Sequence, residues 1–307
     1  MGKPRRIEQQ TGRYALVDGI SFQMPISSED TPGLMAAYTI DADRAKALMP
    51  GNELHPLRIW KRDRALLMIA VVDYRITDIG NYIEFSIGIP CTHGARPGPP
   101  LLPAVFQKLY GTGQYVIDLP VSTEISVKGG KGIWGMPKHQ ANLDFLIGPD
   151  SVSSQYDKDG ELVVKIEIAR PAKTWIPGSF SGANYCQFRG MLMKSYVHFK
   201  GKFGFLAFRR ARAKLTLGTH PRAQQLKELD ISSDPFLVSY FPSTRGTLDD
   251  HFESWFLSSE SPDQNPGEGL ESVYHLGQDK DWLPPPSADA GEPLNVGSAA
   301  PARTVRR

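Results

Sequence analysis

The alternation over residues 82–89 leaves this chain little freedom in how it folds. Ile83, Phe85, Ile87 and Ile89 fall on one face of an extended segment, and Tyr82, Glu84, Ser86 and Gly88 on the other. Just upstream, residues 65–72 read Ala-Leu-Leu-Met-Ile-Ala-Val-Val, an unbroken apolar run of strand length bounded by charge. Such a run fits a strand buried on both faces. Leu162, Val164, Ile166 and Ile168 repeat the alternation after the turn Asp157-Lys158-Asp159-Gly160, and residues 212–217 repeat it more briefly.

Helical segments are fewer. Asp41 can cap a helix over residues 42–49 that Pro50-Gly51 stops, and residues 103–110, 221–229 and 248–257 are read as three more. No internal repeat and no βαβ rhythm is visible. The expected class is α+β, mainly β: a closed or sandwiched antiparallel sheet with helices at its periphery. The 307-residue chain is long enough for one large core, expected over residues 12–257. Residues 258–307 are rich in Ser, Pro, Gly, Asp and Glu, including Pro284-Pro285-Pro286. They read as a mostly disordered tail, with Val273-Tyr274 and Trp282-Leu283 as points that can dock on the body.

Charge and composition exclude several classes of function. A formal net charge of +2 gives no field suited to nucleic acid or to a membrane surface. The apolar runs are far too short to span a bilayer. The first ten residues lack the apolar stretch of a secretory signal, and two cysteines, Cys91 and Cys186, suit a reducing interior, so a cytoplasmic location is expected.

The segment that points to chemistry is residues 129–140, Gly-Gly-Lys-Gly-Ile-Trp-Gly-Met-Pro-Lys-His-Gln. Taken as extended, it places Trp134, Met136 and Lys138 on one face, with Gly135, Pro137 and His139 on the other. Pro137 supports that reading by biasing Met136 away from helical geometry. A free lysine is neutral at pH 7 only about once in 2,500 molecules. Burial among large apolar side chains favours the neutral amine, the form that attacks a carbonyl. The residues alone leave open a solvated lysine at a strand end.

Trp134-Gly135-Met136-Pro137-Lys138 resembles the lysine signature of the acetoacetate decarboxylase family. The resemblance extends over about residues 20–245. It takes in Tyr38-Thr39-Ile40-Asp41 running into a short helix, Tyr82-Ile83-Glu84, Asn184-Tyr185 and Ala213-Lys214-Leu215-Thr216. It implies an acetoacetate-decarboxylase-like antiparallel β-barrel with flanking helices. It also implies a lyase in which Lys138 forms a Schiff base with a β-keto acid or another small carbonyl substrate. Glu84 would then be the active-site acid–base group, and Trp134, Met136, Tyr82 and His139 would lie around the substrate. No metal or organic cofactor is implied, because the imine itself draws the electrons, and a homo-oligomer is expected. Aldolase-dehydratase chemistry on a larger carbonyl compound, or a barrel that binds an apolar ligand without turnover, are the alternatives.

The sequence departs from the family pattern in three places. His139 stands where a second lysine follows the nucleophile. The run Met68-Ile69-Ala70-Val71 has no carboxylate, and Thr31-Pro32 stand where an arginine that meets the substrate carboxylate is expected. Other motifs read as structural. Residues 130–135 fit G-x-G-x-x-G by letter but cannot open a helix ahead of Met136-Pro137. Cys91-Thr92-His93 lacks further ligands at zinc-like spacing. His198 reads as a packed or hydrogen-bonded strand residue. The basic and aromatic residues 200–210 read as a β-hairpin turning at Gly201 rather than as a nucleic-acid surface.

Overall fold

The computed structural model describes residues 12–59, 63–173 and 176–258. The segment expected as a tail lies outside these, apart from Ser258, as do its two suggested docking points. Among the described residues no helix is long and apolar enough to cross a membrane.

Seven strands close a barrel. Strand Gly113–Val121 pairs with Tyr82–His93, which pairs with Arg64–Tyr74, then Gly33–Asp41, Leu237–Phe241, Met191–Ala207 and Ile176–Phe188 in turn. The ring closes where Asn184 and Tyr185 lie parallel to Gln114 and Tyr115 of the first strand. The remaining pairings round the ring are antiparallel. That closing contact spans only these two residue pairs.

The two faces of residues 65–72 differ: one is buried in a core, and the other is turned to a cavity and mostly half-buried. Ala65, Leu67, Ile69 and Val71 are fully buried outside the barrel, while Leu66, Met68, Ala70 and Val72 line its interior cavity. Strand Tyr82–His93 divides in the same way. Phe85, Ile87 and Ile89 join the outer core, and Tyr82, Glu84 and Ser86 face the cavity. The outer core lies under a second, antiparallel sheet that includes strands Ser151–Lys158, Glu161–Ala169 and Ala213–Leu217. Val152, Tyr156, Val164, Ile166 and Ile168 of that sheet pack in the same cluster as Phe85 and Ile87.

Four local expectations need correction. Residues 248–257 are not a helix but belong to strand Thr244–Phe256. Leu248, Phe252 and Trp255 recur at helical spacing but do not share a face. Leu248 packs on the inner cluster, Trp255 on the outer core and Phe252 is exposed, with a β-bulge between Leu248 and Phe252 breaking the period of two. Residues 103–110 form only the single turn Leu102–Val105. Strand Met191–Ala207 runs straight through Gly201, with no hairpin turn there. A Cβ at Gly201 would meet the Ser243 carbonyl at 2.7 Å, so the glycine admits a neighbouring chain instead. Finally, residues 129–134 are not extended but complete helix Glu124–Trp134. The capped helix after Asp41 is present as Ala42–Ala47, with Asp41 accepting from the amides of Asp43 and Arg44.

Candidate active site

Helix Glu124–Trp134 and the three-residue strand Lys138–Gln140 build the site together. The helix turns an unusual face inward: Ser126, Gly129, Gly130 and Trp134 are its buried residues, spaced i, i+3, i+4 and i+8. Gly135, in the left-handed region at φ 64°, ends it. The amides of Gly135 and Met136 return to the carbonyls of Lys131 and Gly130 at 3.0 and 3.1 Å. Pro137 then breaks away, and Lys138 pairs in parallel with Leu119 at the barrel wall. The chain thereby doubles back on itself, and the stem of Lys138 lies against the bare backbone of Gly130. A Cβ at Gly130 would stand 2.4 Å from Lys138 Cδ.

The Lys138 side chain is 3% exposed. Its Nζ lies 2.7 Å from Glu84 Oε2 and donates to Ser126 Oγ at 2.9 Å. It also stands 5.3 Å above the Tyr82 ring. The Ser126 hydroxyl reaches on to the Tyr82 phenol. Burial, and then the nearby Glu84 carboxylate, hold the Tyr82 phenol well above its ordinary range, so it is a neutral donor. Tyr74, stacked on Tyr82 with ring centroids 4.6 Å apart, is raised for the same two reasons.

These groups occupy one end of a cavity of about 360 Å³. Tyr82, Glu84, Trp134, Met136 and Lys138 line it together, as their sequence positions suggested, although Trp134 arrives from a helix rather than from an extended segment. Ser126 was not foreseen, because its helix was not read. The arrangement sets a buried amine beside one carboxylate, one hydroxyl and one phenol. That set can pass a proton to and from a carbonyl adduct.

His139 is the exception. The period of two turns it to the outer side of the barrel, where its Nε2 meets Asp118 Oδ1 at 2.8 Å. Tyr156 donates to Asp118 Oδ2 at 3.1 Å, and Arg222 to Asp118 Oδ1 at 2.9 Å. His139 therefore lies outside the cavity lining, and its expected place around the substrate is corrected. His198 is held between Ser181 Oγ at 2.8 Å and Asp249 Oδ2 at 3.2 Å, a hydrogen-bonded strand residue. The G-x-G-x-x-G letters fall in the C-terminal half of their helix, away from the N-terminal amides that bind phosphate. No cluster of three or more potential metal ligands occurs among the described residues.

A closed β-barrel with a lysine buried in its cavity beside a strand carboxylate defines the class. The sequence matches the family acetoacetate decarboxylase (ADC) over residues 10–244, and the chain belongs to that family. Solved structures agree on the fold. An acetoacetate decarboxylase from Legionella pneumophila aligns with a TM-score of 0.54 and 15% identity, over 81% of this chain and 90% of that one. The enduracididine biosynthesis enzyme MppR, complexed with the condensation product of pyruvate and imidazole 4-carboxaldehyde, aligns at 0.51 and 16%, over 76% and 90%. No curated protein matches the chain.

Proposed function

We propose that this protein is a carbon–carbon lyase that joins Lys138 to a carbonyl substrate as a Schiff base, with Glu84 as its acid–base group. The observation that supports this most is the 2.7 Å pair between Lys138 Nζ and Glu84 Oε2 inside a mostly apolar cavity. Transfer of one ammonium proton to Glu84 frees the nitrogen lone pair to attack the substrate carbonyl carbon. The same proton then leaves with the carbinolamine oxygen as water, which yields the iminium ion. In a β-keto acid the electrons of the carboxylate–carbon bond flow into that iminium as carbon dioxide departs. Glu84, reprotonated from water, passes that proton to the enamine carbon directly or through Tyr82, and hydrolysis of the resulting iminium by water returns the free amine and the ketone product.

A second reading is favoured by the cavity lining. Among the described residues that line it, Lys138 is the sole cation. A substrate without a carboxylate is accommodated there at least as well, and the same iminium can then serve aldol or dehydration chemistry. MppR, which shares the fold and was solved with a pyruvate condensation product, makes that branch reasonable.

Borohydride reduction in the presence of acetoacetate, pyruvate or a neutral ketone, followed by peptide mass mapping, tests the proposal. A reduced adduct on Lys138, lost in Lys138→Ala, is the expected result. A panel of carbonyl compounds that leaves Lys138 unmodified would sink it.

A further inference from the structure

The cavity extends far beyond the reacting groups, and its chemistry changes along its length. Val72 pairs with Glu84 across the barrel wall, which fixes the reactive end. From Val72 the same inward face continues through Ala70 and Met68 to Leu66. Six residues of antiparallel strand rise roughly 20 Å. Met35, which pairs with Ala70, covers that path from the next strand, and Val197 and Phe199 line the cavity from strand Met191–Ala207. Leu57 and Pro90 add further apolar lining. Glu84 and Lys138, the two charged groups among the described lining residues, neutralise each other at 2.7 Å.

Exposure shows where the shaft opens. Lys138, Ser126 and Tyr82 are buried, whereas Ala104, Gln107 and Phe180 line the cavity and are also exposed. A substrate therefore passes mostly apolar walls before its carbonyl meets the amine, with Ser86 and Gln114, hydrogen-bonded to each other at the level of Ala70, among the uncharged polar groups on the way. The volume of about 360 Å³ matches roughly a dozen waters at about 30 Å³ each, more than a three- or four-carbon keto acid fills. A short substrate would leave apolar wall facing water. A second anionic group along the shaft would meet no counter-charge among the described lining residues.

Resting on the Schiff-base reading of Lys138, we infer that the substrate carries an extended apolar substituent, an alkyl chain or an aromatic ring, on the carbonyl that meets the lysine. The shaft from Val72 to Leu66 takes that substituent, and the polar end takes the carbonyl. Each buried methylene then strengthens binding roughly three- to fourfold, or about a hundredfold over four methylenes.

Two measurements on the full chain test this. The first compares borohydride trapping on Lys138 by acetone and by methyl ketones of seven and eleven carbons, each at sub-saturating concentration. The second measures binding of the same ketones to Lys138→Ala, which cannot form an imine. The expected result is a steep rise in both with chain length, about a hundredfold from three to seven carbons. Met68→Trp, or the milder Ala70→Leu, should lower the ratio of long-chain to short-chain trapping. Adducts on Lys138 that form equally well at all chain lengths would overturn this inference and leave the Schiff-base reading standing. Chain-length-dependent binding without any adduct in the native enzyme would do the reverse. A ratio unmoved by either shaft variant would also overturn it.

Discussion

Gly130→Ala separates the placement of the reactive amine from the stability of the fold. The added methyl would sit 2.4 Å from Lys138 Cδ and 2.8 Å from Cε. Ordinary contact begins near 3.4 Å, so the stem must withdraw by 3.4 − 2.4 = 1.0 Å. Lys138 has little room for that, because Nζ is held 2.7 Å from Glu84 and 2.9 Å from Ser126. A misplacement of about 1 Å at a reacting group costs on the order of a hundredfold in rate. Helix propensity acts the other way, since alanine in place of glycine inside a helix stabilises by about 1 kcal/mol. In a body of this size that amounts to about 2–4 °C in Tm, part of which crowding removes.

The expected outcome is thus a protein that melts within a few degrees of the native one and forms the Lys138 adduct about a hundredfold more slowly. The assay is the initial rate of the borohydride-dependent mass shift on the peptide carrying Lys138, read beside a thermal melt. Adduct formation at the native rate in a folded Gly130→Ala protein would refute the account of how helix Glu124–Trp134 places the amine.

Other perturbations have equally definite outcomes. Glu84→Gln should cut turnover by about 10²–10⁴-fold. It also leaves the buried ammonium without its counter-charge, at a cost of up to about 3 kcal/mol in chemical denaturation. Burial pushes the Cys91 and Cys186 thiols up to about 12, so iodoacetamide at pH 8 should label neither in the native fold and both in denaturant, read by intact mass. His55 and His93 are held below their ordinary range, chiefly by burial. The unfolded chain then takes up protons first, so Tm should fall as pH drops from about 7.5 through the unfolded imidazole value near 6.5. A flat or rising Tm over that interval would contradict those placements. Leu102, Val105 and Leu109 are exposed along one segment and suit the expected homo-oligomer. Val105→Glu with Leu109→Glu should lower the mass measured by light scattering, and an unchanged mass would move the interface elsewhere.

Much of the barrel was legible because its strands obey one simple period. Residues 82–89 reported their two faces, and with them Glu84 and Tyr82 in the cavity, whereas residues 65–72 form the expected strand with one face buried and the other mostly half-buried against the cavity. Legibility failed where tertiary contact overrides local pattern. Gly129, Gly130 and Gly132 read as part of an extended segment, yet they lie within a helix pressed close to Phe22, Lys138 and Val17. The stop signal at Gly135 ahead of Pro137 was present and marks the end of that helix. Ser126 became visible only once its helix was known. Strand Thr244–Phe256 was hidden by its bulge, and closure through Asn184 and Tyr185 rests on a two-residue parallel contact with no sequence period.

His139 shows how a departure in sequence can leave a site untouched. It follows Lys138 directly, where the family pattern carries a second lysine, and proximity along the chain suggests an influence on the amine. Strand geometry denies that influence a direct path, because neighbouring residues of an extended segment face opposite ways. Lys138 points to Glu84 and Ser126, whereas His139 points to Asp118, with Tyr156 and Arg222 beside it. That second network ties strand Gly113–Val121 to Tyr156 of the outer sheet and to Arg222 of helix Pro221–Lys227. His139→Ala should therefore lower stability by only about 1 kcal/mol, the worth of one hydrogen bond, because Asp118 still accepts from Tyr156 and Arg222. Adduct formation at Lys138 should change far less than in Gly130→Ala. If His139→Ala instead slowed trapping a hundredfold without loss of stability, the opposition of the two faces would be wrong, and the amine would depend on its neighbour after all.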